Sequence, residues 1–342
     1  MFPREYRGIA GAVLLFLLIQ FGALALVQTF FEQGYQAVEN PDDPTNSLWY
    51  IGAIFLATLG FLAAFKYDLD WIVRLVIVAT SGLLSWYVFS AVLPMVVAVV
   101  LGSAVSVALW VYPEWYVVDT AGVLMGAGAA GLFGITFGIL PALVLLSVLA
   151  VYDAISVYKT EHMLDLADGV MDLRIPVILV IPLSWSYSLL DDVGGDDADD
   201  TTDADDAGDD ANGGADDSDD TEATDDGSTD PSDDIATDPD DREAFFIGLG
   251  DAVIPGVMVA SAAFFLPAEF RYEIALFTIN TPALTSLVGT LAGLLVLMSM
   301  VMKGKPHAGL PLLNGGAIGG YLLGALWVGI PLAEALGIAG FL

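Results

Sequence analysis

Long apolar runs separated by short polar breaks dominate the chain. A helix that crosses a bilayer needs ~20 mainly apolar residues. Nine stretches reach that length, near 8–30, 48–65, 71–90, 92–112, 115–135, 138–158, 245–266, 276–302 and 310–332. The third and fourth run together around Pro94, and the fifth and sixth around Gly138. Each pair is expected to be two helices with a tight turn between them, since Pro and Gly interrupt a helix. The pattern therefore predicts an all-α polytopic membrane protein with nine transmembrane helices. One apolar run does not fit. Residues 175–190 (IPVILVIPLSWSYSLL) are short for a span and carry Pro176 and Pro182. Proline disfavours a helix interior, while Ile and Val favour extended chain, so this run is expected to be a cytoplasmic or interfacial strand.

Charge sharpens the picture. The chain is 56% hydrophobic and 15% charged, with 43 Asp+Glu, 10 Lys+Arg and no cysteine. That excludes a disordered protein, a disulfide scaffold and a cysteine-ligated metal site. A net charge of −33 excludes a nucleic-acid binder working through a basic surface. Most of the acid is local: residues 191–241 hold 23 Asp and one Glu with no Lys or Arg. This low-complexity insert cannot offset its chain entropy by packing and is expected to be disordered. It has no calcium-loop spacing. Its Asp bias fits a salty cytoplasm, where screening is short-ranged, and suggests a halophile. Three parts follow: 1–190 with six spans and the strand, the 191–241 loop, and 242–342 with three spans.

Lys and Arg are retained on the cytoplasmic side of membrane proteins. With the N-terminus inside and nine alternating spans, Arg4, Arg7, Lys66, Arg74, Lys159, Arg174, Arg242, Lys303 and Lys305 all fall inside, and only Arg271 falls outside. The acidic loop is then cytoplasmic. Counting 175–190 as a tenth span would put Lys303 and Lys305 outside, against that rule. No cleavable signal peptide is expected, because the first apolar run is too long for one.

Two acids sit inside these spans at one depth. A charge within a membrane is costly and marks a functional candidate. Asp153 lies near the end of span six (VLAVYDAISVY), and Asp251 near the start of span seven (FFIGLGDAVIPG). At 1.5 Å per residue both lie roughly 7–9 Å below the cytoplasmic boundary, on consecutive antiparallel helices. Two carboxyls sharing one site cannot both ionise cheaply, so the pair holds one proton near neutral pH. An ionised Asp can take a proton from water while its protonated partner polarises a peptide carbonyl. Three readings of the residues alone stay open: a protease, a proton- or ion-coupled secondary transporter using the same acids, and structural polar contacts.

The motifs resemble those of the presenilin/signal peptide peptidase family of intramembrane aspartyl proteases, most closely its archaeal presenilin-like members. Tyr152-Asp153 stands where that family has YD in its sixth helix, and Gly248-Leu249-Gly250-Asp251 where it has GxGD in its seventh. Its third motif, PAL, opens the ninth helix; here the chain reads HAGLPLLNGG, with Gly309-Leu310-Pro311 in that place and Ala308 instead of the leading proline. Literal PAL strings at 141–143 and 282–284 open spans six and eight at the opposite side and are decoys.

The resemblance implies an aspartic endopeptidase without cofactor, with Asp153 and Asp251 catalytic, in the archaeal cell membrane. Its partners would be transmembrane peptides or signal-peptide remnants, and lipid. It also suggests roles around the pair. Gly248 and Gly250 either let a substrate backbone approach or pack helices closely. Leu249 lines a subsite or faces core or lipid. Tyr152 hydrogen-bonds near the pair or anchors at the interface. Residues 308–311 offer free carbonyls to an extended substrate, and 175–183 pairs with it by strand addition. Asp119 is expected to be an interfacial residue, and His162 and His307 solvated loop residues unable to complete a metal site. Asn314 is expected to pack against another helix.

Overall fold

The computed structural model describes residues 4–67, 69–159, 178–184, 187–192, 244–266, 271–274, 277–302 and 308–339. Within them the chain is helical except for two small hairpin-like sheets. The long helices are α1 (Arg4–Glu32), α2 (Thr45–Lys66), α3 (Asp70–Ser90), α4 (Met95–Val111), α5 (Trp115–Thr136), α6 (Ile139–Lys159), α7 (Leu249–Phe265), α8 (Thr281–Val301) and α9 (Gly309–Trp327). Helical turns at Leu189–Asp192 and Leu332–Ala335 complete the list. Among the described residues seven helices are long and apolar enough to cross a membrane; α4 and α7 are apolar helices of 17 residues each. The acidic stretch beyond Asp192, His162, His307 and the proposed loop boundaries near 241 lie outside the described residues.

Sequence signals set most helix ends. Pro94 stands immediately before α4, where its missing N–H costs nothing. The side chain of Asn280 accepts from Ala283 N at 2.8 Å and caps α8, with Pro282 in the first turn. Glu114 caps α5 by accepting from Trp115 N. Gly138 separates α5 from α6, and its N–H donates to the Pro41 carbonyl at 2.8 Å, tying that turn to the α1–α2 loop.

One boundary differs from expectation. The seventh span does not begin as helix at 245: Ala244–Gly248 is a strand, β2, paired antiparallel with β1 (Ile178–Pro182) in the register Ile178↔Gly248 through Pro182↔Ala244. Phe245, Phe246 and Ile247 suit an extended chain, and Gly248 ends it. Helix α7 therefore starts at Leu249, and Asp251 sits in its first turn rather than its second. A second pair, β3 (Arg271–Ile274) with β4 (Phe277–Asn280), precedes α8, so the eighth helix also starts later than the apolar run does.

Helix α5 is central. It packs on α1, α3 and α7 and supports β1. Small residues permit this: a Cβ on Gly134 would collide with Ala260 of α7, and one on Gly22 of α1 would collide with Ala127. The tightest contact joins α8 and α9. A Cβ on Gly289 would run into the Gly316 carbonyl, and one on Gly293 into the Leu312 carbonyl. Water does not drive helices together inside lipid, so close backbone approach and interhelical hydrogen bonds carry the association. Ser286 Oγ donates to the Ala317 carbonyl at 2.9 Å, Ser261 Oγ to Phe137 at 2.8 Å, and Asn280 Nδ2 to Ala262 at 2.7 Å.

Candidate active site

Three helices and the β1–β2 sheet converge at one end of the bundle. Asp153 comes from the last two turns of α6 and is buried; Asp251 comes from the first turn of α7 and is partly buried. Both carboxyls reach the first turn of α9. The start of α9 lies against both. Leu310 N donates to Asp153 Oδ2 at 3.0 Å. A Cβ built on Gly309 would stand 3.1 Å from Asp251 Oδ2. The first four N–H groups of a helix have no partner within it. Asp153 satisfies one of these for α9, while glycine at 309 lets Asp251 come close. The departure from a literal PAL thus keeps the placement: Gly309-Leu310-Pro311 form the first turn of α9 beside the pair.

That turn is helical from Gly309 onward. Only Ala308 is extended there. Pro311 falls in the first turn, where its lack of an N–H is harmless. The literal PAL strings do open α6 and α8, and Pro141 is about 18 Å along α6 from Asp153.

The glycines of the second motif divide. Gly248 precedes α7, and a Cβ there would touch Asp251 Oδ2 at an ordinary 3.5 Å. Gly250 is exposed, and a Cβ there would meet nothing within 4 Å. Close helix packing therefore does not explain Gly250; the space beside Asp251 is open. Leu249 is buried and packs toward Gly126 of α5, so it belongs to the core rather than to a subsite. Tyr152 is 45% exposed, and its ring meets Phe55 of α2 edge-on at 5.1 Å.

Pro255 lies inside α7, four residues after Asp251. It removes the N–H that would bond the Asp251 carbonyl, so the turn carrying this acid lacks one helical bond. Asn314, one turn into α9, is buried and donates through Nδ2 to the Leu146 carbonyl of α6 at 3.0 Å, as its expected helix contact requires. This bond ties α9 to the helix that carries Asp153.

Two acids were not singled out by the sequence in the role they take. Asp119 is buried within the protein: it is 8% exposed, and its Oδ1 accepts from Val180 N of β1 at 2.7 Å. Glu114 is 4% exposed and accepts from Leu189 N at 2.7 Å and from Ser188 Oγ at 3.2 Å.

Similarity to known proteins covers most of the chain. The family model described as signal-peptide peptidase, presenilin aspartyl protease matches residues 13–330. No curated protein matches the chain. Two crystal structures of a presenilin family intramembrane aspartate protease are similar. The one in space group C222 is 29% identical, with a TM-score of 0.60, over 93% of this chain and 99% of that one. The one in space group P2 is 29% identical, with a TM-score of 0.57, over 93% and 97%. With a family model spanning nearly the whole membrane portion, the chain belongs to the signal-peptide peptidase/presenilin family of aspartyl proteases.

Proposed function

We propose that this protease cuts transmembrane helices or membrane-retained signal-peptide remnants at Asp153 and Asp251. The observation that carries the reading is that both carboxyls lie against the first turn of α9, Asp153 at Leu310 N and Asp251 beside Gly309. One ionised carboxyl takes a proton from water as its oxygen attacks the scissile carbonyl carbon. The protonated partner donates to the carbonyl oxygen. Collapse of the tetrahedral intermediate breaks the C–N bond, with a proton delivered to the departing nitrogen. A helical substrate must unwind first, because its carbonyls are bonded and shielded. The open space at Gly250 suits the approach of an extended backbone.

The same reading has nine spans, with α4 and α7 as short ones, and an N-terminus and acidic loop in the cytoplasm. The 191–241 loop serves as a passive tether, so trimming it should leave cleavage intact.

The test uses purified protein in lipid vesicles with a labelled transmembrane peptide. Asp153→Asn and Asp251→Asn should each lower the cleavage rate by about 100- to 10,000-fold. Wild-type activity should follow a bell-shaped pH profile, because the pair works only with a single proton. A wild-type chain that moves ions or solute and leaves the peptide whole would refute the proposal.

A further inference from the structure

The hydrolysis above does not use Asn314, yet this side chain is fully buried on α9, four residues after the one whose N–H meets Asp153. Its Nδ2 donates to the Leu146 carbonyl of α6 at 3.0 Å. A carbonyl can only accept, so the nitrogen end of the amide must face it. Among the described residues, Oδ1 then has no donor. A buried acceptor left unpaired costs stability, and the single bond at the other end returns only a modest amount. Leu146 lies inside α6, where its carbonyl also accepts within the helix's own ladder. An apolar residue at 314 would therefore leave no obligatory bond unmade. Stability does not explain an amide here.

Placement does. Helix α9 is joined to its two neighbours in different ways. Against α8 the backbones themselves touch: a Cβ on Gly316 would run into the Gly289 carbonyl, and one on Gly320 into the Thr285 carbonyl. Such close approach fixes α8 and α9 as a unit. Two hydrogen bonds run from that unit to α6, Leu310 N to Asp153 Oδ2 and Asn314 Nδ2 to Leu146 O, both 3.0 Å. They differ in kind. The first ends on a reacting carboxyl, so it is stronger while that group is ionised and weaker once it is protonated. The second joins a neutral amide to a main-chain carbonyl and is the same in either state.

We propose that Asn314 is a positioning residue: it fastens α9 to the main chain of α6, and so keeps the Leu310 N–H on Asp153 while that acid gains and loses its proton. The inference rests on the protease reading above. Without the second bond, α9 is held to α6 through the one group whose charge changes in each turnover. The unpaired Oδ1 fits this role, because an amide is kept here for alignment at a cost in stability.

The full chain in lipid vesicles tests this with Asn314→Leu and Asn314→Ala, reading kcat, KM, the midpoint of thermal unfolding and amide exchange at Leu310. N314L should lower kcat about 10- to 100-fold, with KM within about threefold. Exchange at Leu310 should rise about tenfold, and the unfolding midpoint should not fall. A residue that only supports the fold would give the opposite pattern, a lower midpoint with wild-type kcat in the folded fraction, and that result would overturn the proposal. Wild-type kcat with a protected Leu310 amide would overturn it too. If N314L does not fold, N314A decides, by the kcat of its folded fraction and exchange at Leu310. A wild-type chain that cuts no peptide would instead remove the protease reading, and this inference with it.

Discussion

Helices α2 and α5 have the same length, 22 residues, but opposite surroundings. Only 6% of the span in α2 is buried, against 56% in α5. Yet α2 is the more apolar of the two. In water the reverse would hold, because burial follows hydrophobicity. In lipid an apolar side chain gains nothing from leaving the acyl chains, so burial follows the ability to pack closely. Helix α5 has that ability through Gly126, Gly128, Gly131 and Gly134 and the alanines between them, and it also carries Glu114 and Asp119. Helix α2 presents Leu48, Trp49, Leu56 and Leu59 to its surroundings. Hydropathy locates the spans, and small and polar residues determine which of them build the site.

Substitutions in the packed helices should separate from those on the lipid-facing ones. The largest effect is expected from Gly289→Leu. Its side chain would enter the α9 backbone at Gly316, costing about 3 kcal/mol or more of stability. Thermal unfolding in detergent should show a lowered midpoint and lost activity together. Gly309→Ala should act on chemistry instead. Its methyl would press on Asp251 Oδ2, displacing the carboxyl by a few tenths of an ångström and lowering kcat about 10- to 100-fold with the fold retained. Gly250→Ala sharpens the contrast within one motif. Nothing stands near the new methyl, so stability should change by less than about 1 kcal/mol. KM should nevertheless rise, because the substrate backbone must pass there. Leu56→Ala on α2 should be the mildest, within about 0.5 kcal/mol and with unchanged kcat. A large loss from L56A would break the comparison and mark α2 as part of the working bundle.

How much was legible in the sequence follows the same division. The helix boundaries at Pro94, Gly138 and Trp115 were readable because the break is written in the residues themselves. Asp153 and Asp251 were readable because an acid in an apolar helix has few reasons to be there. The start of α7 was not. FFIG is apolar enough for a span, and it becomes a strand only because 178–182 lies alongside, more than sixty residues earlier. The contact of Asp119 with Val180 was hidden for the same reason. Its position near a helix start looked like ordinary wetting at the interface, and the partner that buries it is distant in the chain. Leu249 and Tyr152 show the opposite limit. Both flank an acid in sequence, yet helical geometry turns them to other faces, one into the core and one toward Phe55.

The bond from Leu310 to Asp153 makes a proposed reactive group also a fastener for the neighbouring helix. Prying the head of α9 away from α6 would disarm the enzyme without altering either acid. A small molecule wedged into that seam would thus silence the protease by parting two helices rather than by imitating a peptide.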